Sequence, residues 1–420
     1  MRALPPLPDW CTLEHQVAHI LTEQELHGWQ FDEQKCQQLE SHLRREMEEV
    51  TGILQKQFPL IGGKMFTPKR NNASQGYVEG AELQRLVEFN PTSRDHIAWI
   101  LKNRLKITLT QTTKTGKPII DEITLTEISN PFCKLCAKAL DLKKKLGMIS
   151  QGVNAWLRLC TNSRIHHHCS VSTNTFRCAH RKPNVAQSPA EKEFRELFTA
   201  SPGNIMVGAD LSGIELRMLA HYLGRYDGGR YADILLNDDI HQVNADKIGI
   251  TRRQVKTVTY CFLYGGGNIK LGMSYDNSLQ PKEASKKGSE IRAAYVAAIP
   301  GLSDLLAAVT DKAANGYLLA CDGRRVLVDS PHKGLNYLLQ CSAGIIAKRW
   351  MVIANDQLQP FHTKQLAFIH DELQYECNPK YTEEVKQQLE NSAVDAGVYY
   401  KLRCPIAAEA KSGNNWSEVH

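Results

Sequence analysis

The sequence has 420 residues, 42% of them hydrophobic and 23% charged, which is typical of a folded globular protein and excludes disordered and collagen-like classes. Its 51 Lys and Arg residues against 45 Asp and Glu residues give a net charge of +6. That charge is compatible with an anionic partner but too small for a purely electrostatic binder of nucleic acid. No apolar run reaches the roughly 18 residues of a membrane span, and the first residues lack the pattern of a secretory signal peptide.

The first part of the chain is predicted to be mostly helical, because apolar residues recur there at helical spacing. Residues 13–57 predict two helices separated at Gly28, and residues 59–81 predict a loop rich in glycine, proline and asparagine. The remaining predictions for this part are helices over 81–89, 94–104 and 135–156, and a polar, threonine-rich stretch over 110–130.

The second part of the chain predicts a mixture of strands and helices. In chain order we predict a buried strand over 205–211, a helix over 214–222, helices over 229–320 with a break at 265–267, and two short strands over 367–369 and 373–376. The last two strands form a predicted hairpin with His370, Asp371 and Glu372 at its turn.

Twelve cysteines are scattered along the chain, and without a signal peptide they predict reduced thiols in place of a disulfide framework. Cys133 and Cys136 form a close pair, but no second pair follows at zinc-finger spacing, so we interpret both as ordinary helix residues. The run from His166 to His168 and Cys169 is interpreted in the same way, because consecutive side chains diverge and do not converge on a metal.

Two aspartates stand at the ends of predicted strands. Asp210 ends an apolar strand, and Asp371 lies in the turn of the predicted hairpin beside Glu372. A single aspartate at a strand end is more often a turn or cap residue. If the two strands are neighbours in one sheet, however, Asp210 and Asp371 converge and form a suitable site for Mg²⁺.

A second pattern places two cations and two aromatic residues four positions apart. Arg252, Lys256, Tyr260 and Tyr264 fall on one stripe of an α-helix. Such a stripe suits a nucleotide, with the cations on the phosphates and a ring against the base and sugar. The alternative is a solvated basic turn followed by core aromatics.

These residues carry a resemblance to a known family. Asp210-Leu-Ser-Gly-Ile-Glu-Leu-Arg217 resembles the first polymerase motif of family A DNA polymerases, the stripe from Arg252 to Gly265 their second, and His370-Asp371-Glu372 their third. Other stretches are similar to the replicative polymerases of short-tailed bacteriophages, among them 89–97, 155–158, 183–187, 322–326, 335–340 and the ending from Gly413 to His420.

The resemblance implies an α+β right-hand fold of thumb, palm and fingers with an antiparallel palm sheet. The expected boundaries are thumb and its helical base 1–165, first part of the palm 166–235, fingers 236–335 and second part of the palm 336–420. The implied activity is DNA-templated extension of a primer with dNTPs and release of pyrophosphate. Two Mg²⁺ ions are expected on Asp210, Asp371 and the carbonyl of Leu211, with Glu372 secondary.

The resemblance also implies roles in binding the nucleotide. Arg252, Lys256 and His241 are expected to neutralise the triphosphate, with Lys256 also catalytic. Glu215 is expected to block the ribose 2′ position, and its alternative role is an ion pair with Arg217.

The base pair and primer are expected to meet a further group of residues. Tyr264 and Gly265 would shape the pocket for the templating base, and Arg177, Gln340 and His370 would contact the primer terminus and minor groove. Phe176 stands where the family usually has glycine, so the backbone before Arg177 is expected to differ. Tyr260 stands where many relatives have phenylalanine, and its hydroxyl predicts easy incorporation of dideoxynucleotides.

Three expectations concern partners and location. No Asp-x-Glu exonuclease signature occurs in the first 60 residues, so we expect no proofreading exonuclease in this polypeptide. A separate exonuclease chain is a hypothesis that follows from this expectation. Residues 58–90 are too short for a long thioredoxin-recruiting loop, so we expect no thioredoxin partner. We also expect no membrane association, because no apolar run is long enough for a membrane span. The expected location is the cytoplasm of an infected bacterium, with an organelle or a bacterial cytoplasm as the alternative.

Two other functions stay open at this point. A single-subunit RNA polymerase would share the palm and fingers but would have no use for a 2′ block at Glu215. An accessory DNA-binding subunit would be expected to lack Asp210 or Asp371, and both are present. An ATP-driven helicase is disfavoured because the sequence has no Gly-x-x-x-x-Gly-Lys phosphate loop.

Overall fold

The structure is a computed structural model that describes residues 7–109, 112–113, 115–276 and 279–420. Its helices are α1 Asp9–His27, α2 Glu33–Gln57, α3 Arg94–Asn103, α4 Glu122–Glu127, α5 Pro131–Leu146, α6 Trp156–Leu159, α7 Lys192–Arg195, α8 Ile214–Leu223, α9 Arg230–Asn237, α10 Ile240–Ile248, α11 Arg252–Leu263, α12 Asn268–Tyr275, α13 Pro281–Ala298, α14 Leu302–Ala313, α15 Gly334–Leu358, α16 Thr382–Tyr399 and α17 Trp416–Val419. Its strands are β1 Trp29–Phe31, β2 Leu60–Phe66, β3 Leu83–Glu88, β4 Cys160–Thr161, β5 Arg164–Ile165, β6 His168–Ser170, β7 Ala179–Arg181, β8 Phe198–Thr199, β9 Ile205–Leu211, β10 Tyr317–Leu319, β11 Arg325–Leu327, β12 Lys364–Ile369, β13 Glu372–Cys377 and β14 Ala408–Gly413.

The chain forms two compact units. One contains Met1–Phe31 and Thr161–His420, and the other is the continuous segment Asp32–Cys160. Within the first unit β1 lies between β5 and β8, and the amide of Phe31 donates to the carbonyl of Ser163 at 2.8 Å. The thumb, palm and fingers boundaries at 165, 235 and 335 stay predictions.

The central sheet of the first unit is antiparallel, with the order β12–β13–β9–β14. Asp210 near the end of β9 lies opposite Glu372 of β13 on one side and opposite Glu409 of β14 on the other. The strand predicted over 205–211 is therefore β9, and the predicted hairpin is β12–β13. Helices together with this sheet confirm the predicted α+β class.

The two faces of the sheet differ in polarity because side chains alternate along each strand. Val207 and Tyr375 belong to the main apolar core, which α15 and α16 extend; the Trp350 indole of α15 donates to the carbonyl of Leu389 in α16 at 2.9 Å. Asp210 and its cross-strand partner Glu372 face the opposite way. The carboxylates of these two residues therefore lie on one face of the sheet, and the other face packs against the core.

Ion pairs with buried cations hold helix α1 against other elements of the first unit. The Lys348 ammonium and the Arg324 guanidinium both donate to Glu14, at 2.7 and 2.5 Å, and Arg324 also donates to Asp322 at 2.6 Å. Lys348 and Arg324 are almost fully buried, and Arg324 would keep Asp322 if Glu14 were removed, whereas the Lys348 ammonium would lose its ion-pair partner in the interior.

Helices α8 to α14 follow β9, as predicted for residues 214–222 and for most of 229–320. The prediction is wrong at its end, because residues 317–319 pair with β11 as strand β10. Helix α11 begins with a capping box, in which the Thr251 hydroxyl accepts from the Gln254 amide and the Gln254 side chain accepts from Thr251. Helices α12 and α13 pack backbone against backbone. A Cβ atom on Gly288 would lie 1.8 Å from the carbonyl oxygen of Asn268, so only glycine fits there.

The second unit packs α2 and α4 against α5 and contains the β2–β3 hairpin. Its core includes Phe132, whose ring meets those of Phe58 and Phe89 at 5.2 and 5.9 Å. Two sequence predictions are wrong here, because residues 60–66 are a strand where a loop was predicted, and residues 83–88 are a strand where a helix was predicted. The glycines of β2 mark an irregular register between Gly62 and Met65, and pairing across the hairpin overrides local helix propensity.

Two further differences concern the helices of this unit. The helix predicted over 135–156 begins earlier, at Pro131, and ends at Leu146, where a π-helical turn takes over. The polar stretch predicted over 110–130 contains α4, whose cap Asp121 accepts from the Thr124 amide at 2.8 Å. Residues 110, 111 and 114 of that stretch lie outside the described part.

Within the described ranges, no single helix has the length and apolar character needed to cross a membrane. Helices α13 and α14, bent by 108° at the break between them, pass that test only as a pair and only by length and composition.

Candidate active site

The structure brings Asp210 and Asp371 to the same end of the central sheet. Asp371 occupies the two-residue turn between β12 and β13, and its carbonyl accepts from the Leu211 amide at 3.0 Å. Strand β9 is therefore hydrogen-bonded directly to the turn. Asp210 and Asp371 are 161 positions apart in the sequence, but in the structure they belong to one acidic edge of the sheet.

The two carboxyl groups repel each other at this edge, where Asp210 is exposed and Asp371 is half-buried. Burial, followed by the charges of Asp210 and Glu215, raises the pKa of Asp371 to about 7. Desolvation, followed by the charge of Glu372, raises the pKa of Asp210 to about 6. A divalent cation would relieve this repulsion, and carboxylate oxygens are the donors that Mg²⁺ prefers, so these residues fit such an ion.

Glu372 is buried and already has partners on both oxygens. Its Oε1 accepts from the side-chain Nε2 of Gln374 and from the Trp416 indole, both at 2.6 Å. Its Oε2 lies 3.1 Å from His420 Nδ1. Asp210, Glu372 and His420 offer possible metal-ligand atoms within 4.8 Å of one another. These contacts fix the Glu372 carboxylate, so it shapes the charge of the site while Asp210 and Asp371 remain available.

Trp416 and His420 are site residues that reasoning from strands and motifs missed. They lie on and after α17, which places them over the polar face of the central sheet next to Glu372. The sequence did contain a signal for them, because the ending from Gly413 to His420 is one of the stretches similar to phage polymerases. No function was assigned to its residues.

Glu215 lies on the first turn of α8, and two hydrogen-bond donors hold its carboxylate. Its Oε1 accepts from Arg177 Nη2 at 2.8 Å and from the Tyr264 hydroxyl at 2.7 Å. The alternative partner, Arg217, instead donates to the carbonyls of Ser212, at 2.6 Å, and of Pro405. Glu215 thus links the strand-end region to the end of α11.

The predicted stripe lies along α11 as expected from its spacing. Arg252, Lys256 and Tyr260 are on the helix, and Tyr264 is its C-cap residue. The rings of Tyr260 and Tyr264 are stacked, with centroids 6.4 Å apart. Tyr264 is 45% exposed, which disfavours a core role for that aromatic.

The cationic end of α11 has an acidic neighbour. Arg252 Nε donates to Asp239 Oδ2 at 2.5 Å, and Asp239 also caps α10. His241 of α10 is buried, and its ring lies 6.2 Å from Tyr260. Burial lowers the pKa of His241, so the ring is neutral near pH 7 and can donate or accept a hydrogen bond.

Phe176 keeps the backbone conformation for which glycine is usual. Its φ is +58°, and the Arg324 guanidinium lies 4.8 Å from the centroid of its ring. Helix α15 allows the close approach, because Gly344 faces the 176–177 peptide and a Cβ there would lie 3.4 Å from it. Phe176 is therefore a residue with a side chain in a conformation that favours glycine, and the expected backbone difference before Arg177 stays a prediction.

The remaining predicted contacts surround this edge. His370 has φ +60° in the β12–β13 turn, and its ring meets that of His180 at 5.8 Å. Gly265 follows α11 with φ +72°, beside Asn336. Gln340 lies half-buried on α15, one turn before Gly344.

Comparisons with known proteins agree with this geometry. Residues 68–418 match the family model "DNA polymerase family A". The proteins named DNA-directed DNA polymerase from Enterobacteria phage T3 and Escherichia phage T7 are each 30% identical to this chain, over 97% of it and 70% of their own length. The fold is similar to the POL domain of Pol1 from M. smegmatis in complex with DNA primer-template and dNTP, with a TM-score of 0.78, 21% identity, and coverage of 97% of this chain and 70% of that one.

Proposed function

The chain belongs to DNA polymerase family A and is a DNA-directed DNA polymerase with a right-hand fold, and we propose that it extends the 3′-hydroxyl of a template-paired primer with dNTPs, releasing pyrophosphate. The observation that carries the detailed proposal is the convergence of Asp210 and Asp371 at one sheet edge, facing the tyrosines of α11. Burial and the negative charge of Glu215 and Asp371 raise the pKa of Tyr260, which supports this proximity.

Family A polymerases use divalent metal ions, and we propose two Mg²⁺ ions here. Asp210, Asp371 and the carbonyl of Leu211 would hold them. When bound, such ions acidify the primer hydroxyl and neutralise the charge that develops on the phosphates. The chain's own contribution is a rigid pair of carboxylates, since β9 and the β12–β13 turn are hydrogen-bonded together.

The basic end of α11 would bind the triphosphate. Arg252 and Lys256 are exposed, lie one turn apart and stand near the helix N-terminus, where backbone amides also favour negative charge. Arg252 is now paired with Asp239, so triphosphate would replace that carboxylate as its partner. His241 would add a hydrogen bond from its neutral ring.

Glu215 would select deoxyribose. Its carboxylate is buried and held by Arg177 and Tyr264, so it cannot swing away from an additional 2′-hydroxyl. A fixed group of this kind rejects the larger sugar by steric exclusion. This role favours the DNA polymerase over a single-subunit RNA polymerase.

Contacts to the primer end would come from residues around the same edge. Arg177, Gln340 and His370 would reach the primer terminus and the minor groove, whose acceptors are similar for every base pair. Tyr264 and Gly265 would support the templating base. Such contacts test the shape of a base pair without reading sequence.

The proposed setting is phage DNA replication in the cytoplasm of a bacterial host, which the phage T3 and T7 relatives support. We also propose that these 420 residues provide no 3′–5′ exonuclease activity and need no thioredoxin.

Primer extension on a labelled hairpin tests the proposal. Wild type with Mg²⁺ and dNTPs is expected to extend the primer, and Asp210→Ala and Asp371→Ala are expected to lose at least about a hundredfold in rate. Glu409→Ala is the matched control, because Glu409 lies opposite Asp210 but is exposed and outside the proposed ligands. Equal losses in all three variants, or faster extension with NTPs than with dNTPs by wild type, would refute the assignment.

Two further lanes test the partner proposals. A lane without dNTPs is expected to show no shortening of the primer, and metal-dependent shortening by wild type would contradict the proposed absence of an exonuclease. Added thioredoxin is expected to leave product length unchanged, and a stable complex eluting with thioredoxin would overturn that expectation.

A further inference from the structure

A second group of metal-ligating side chains lies away from the acidic edge. His167, Cys169 and His180 offer possible ligand atoms within 4.8 Å of one another. Cys169 of β6 lies directly opposite His180 of β7, and His167, which immediately precedes β6, brings its ligand atom to the same place. The two short strands and the residue before them therefore gather three donors that are not consecutive in sequence.

The neighbouring histidines point elsewhere, as their divergence predicts. His166 Nδ1 lies 2.7 Å from the carbonyl oxygen of Glu25, and His168 Nδ1 lies 2.8 Å from the Glu25 carboxylate. The interpretation that consecutive side chains cannot converge is correct for these two. It overlooked that alternate residues of a strand can share a face with a residue from the paired strand.

The cluster is buried and incompletely hydrogen-bonded. His167, Cys169 and His180 are 1%, 7% and 9% exposed, and Cys169 Sγ lies 3.2 Å from His180 Nδ1. His167 Nδ1 and His180 Nε2 have no hydrogen-bond partner among the described residues. A buried polar atom without a partner costs about 1–3 kcal/mol, so the two unpaired ring nitrogens favour a bound ligand at this cluster.

A polar amide from α1 closes another side of the cluster. Gln24 Nε2 lies 3.1 Å from His167 Nε2 and 3.6 Å from Cys169 Sγ, and Gln24 is itself buried. Its Oε1 accepts from Gln365 Nε2 at 2.8 Å, which connects the cluster to β12. The cluster is thus surrounded by polar groups from α1, β6, β7 and β12.

The donor types favour a particular class of ion. The donors are two imidazole rings and one sulfur, held close together in the interior. A thiolate with two imidazoles suits Zn²⁺ and similar borderline ions, whereas Mg²⁺ and Ca²⁺ require oxygen donors. The cluster and the acidic edge would therefore bind different metals.

We propose that His167, Cys169 and His180 form a binding site for Zn²⁺, with the Gln24 amide beside the fourth coordination position. On binding, the Cys169 thiol loses its proton to solvent and a zinc–thiolate bond forms, with no change in oxidation state. The site joins α1 to the β6–β7 pair. Because the His180 ring packs edge-on against His370, the ion would also brace the turn that carries Asp371.

Metal content and cobalt spectroscopy on the full chain test this proposal. The chain purified without chelator is expected to contain one zinc per molecule by mass spectrometry. After removal of zinc, one equivalent of Co²⁺ is expected to give the near-ultraviolet band of a thiolate–cobalt bond and the visible bands of four-coordinate Co²⁺. Zinc is expected to raise the melting temperature of the stripped chain.

Variants separate this site from other thiols and from the acidic edge. Cys169→Ser is expected to lose the thiolate band, whereas Cys178→Ser, a buried cysteine outside the cluster, is expected to keep it. Asp210→Ala is also expected to keep it, so failure of the polymerase proposal and failure of this one are distinguishable.

Two results would overturn the zinc site. One is a folded wild type with neither retained zinc nor a thiolate band, which decides the question even if Cys169→Ser does not fold. The other is a thiolate band that persists in Cys169→Ser. His180→Gln provides a second variant of similar shape, and it is expected to weaken cobalt binding at least about tenfold.

Discussion

Phe176 offers a direct test of stored backbone strain beside the active site. The left-handed backbone conformation costs a residue with a side chain about 1–2 kcal/mol of conformational energy, and Phe176 has φ +58°. Replacing it with alanine removes the ring but keeps the strain. Replacing it with glycine removes both, so the pair Phe176→Ala and Phe176→Gly isolates the backbone term.

The magnitudes follow from the surroundings of the ring. Truncating a fully buried Phe costs about 3–5 kcal/mol, so a half-buried one costs roughly half as much, and loss of the Arg324 contact adds about 0.5–1 kcal/mol. Alanine is therefore expected to lower the free energy of unfolding by about 2–3.5 kcal/mol. Glycine is expected to lose about 0.5–1 kcal/mol less, because strain relief of about 1–2 kcal/mol exceeds its chain-entropy cost.

Urea unfolding followed by circular dichroism provides the measurement, with wild type beside both variants. Thr175 is the matched control, because it has an ordinary φ, and there the alanine variant is expected to be more stable than the glycine variant. Greater stability of the alanine variant at position 176 as well would contradict the predicted backbone strain. That result would mean that the Phe176 backbone is not held in the left-handed region.

Three more predictions address the site and the sheet. Glu215→Ala is expected to reduce discrimination against ribonucleotides by about 10–100-fold in single-nucleotide extension, while Glu215→Gln retains most of it; unchanged discrimination in both variants would remove the proposed 2′ block. Tyr260→Phe is expected to lower dideoxynucleotide incorporation relative to wild type on a sequencing ladder, and strong discrimination already in wild type would sink the role given to the hydroxyl. Burial alone would raise the pKa of Glu376, but hydrogen bonds from His27 and Ser201 bring it below its usual 4.5, so its stabilisation is present above that pH and lost on acidification through the lower folded pKa. Glu376→Gln should therefore flatten the stability profile between pH 4.5 and the acid transition, and an unaltered profile would count against this linkage.

Local pattern was sufficient for the elements that carry the proposed chemistry. The apolar run before Asp210 predicted β9 with its observed bounds, and the turn residues around Asp371 predicted the hairpin. The stripe from Arg252 predicted α11, whose first residue is set by a capping box within the same few positions. In each case the decisive information lies within about a dozen residues.

Elements and contacts that depend on distant partners were not predictable in this way. Strand β3 has few local strand signals and forms because it pairs with β2. The partner of Glu215 is Arg177, 38 positions away, and not the nearby Arg217. His420 reaches Glu372 only because β14 and α17 return the chain to the central sheet. Register and return path belong to the tertiary fold, so no window of sequence shows them.

The position of the second unit within the chain has a consequence for synthesis on the ribosome. Its core is complete once Cys160 has been made, whereas α1 must wait for Lys348, the buried partner of Glu14, 334 positions later. The chain leaves the first unit at Phe31 and returns beside it at Ser163, so the two ends of the excursion are neighbouring strands. A compact segment with adjacent ends can change in length during evolution at little cost in loop closure, while the sheet that bears Asp210 stays as it is.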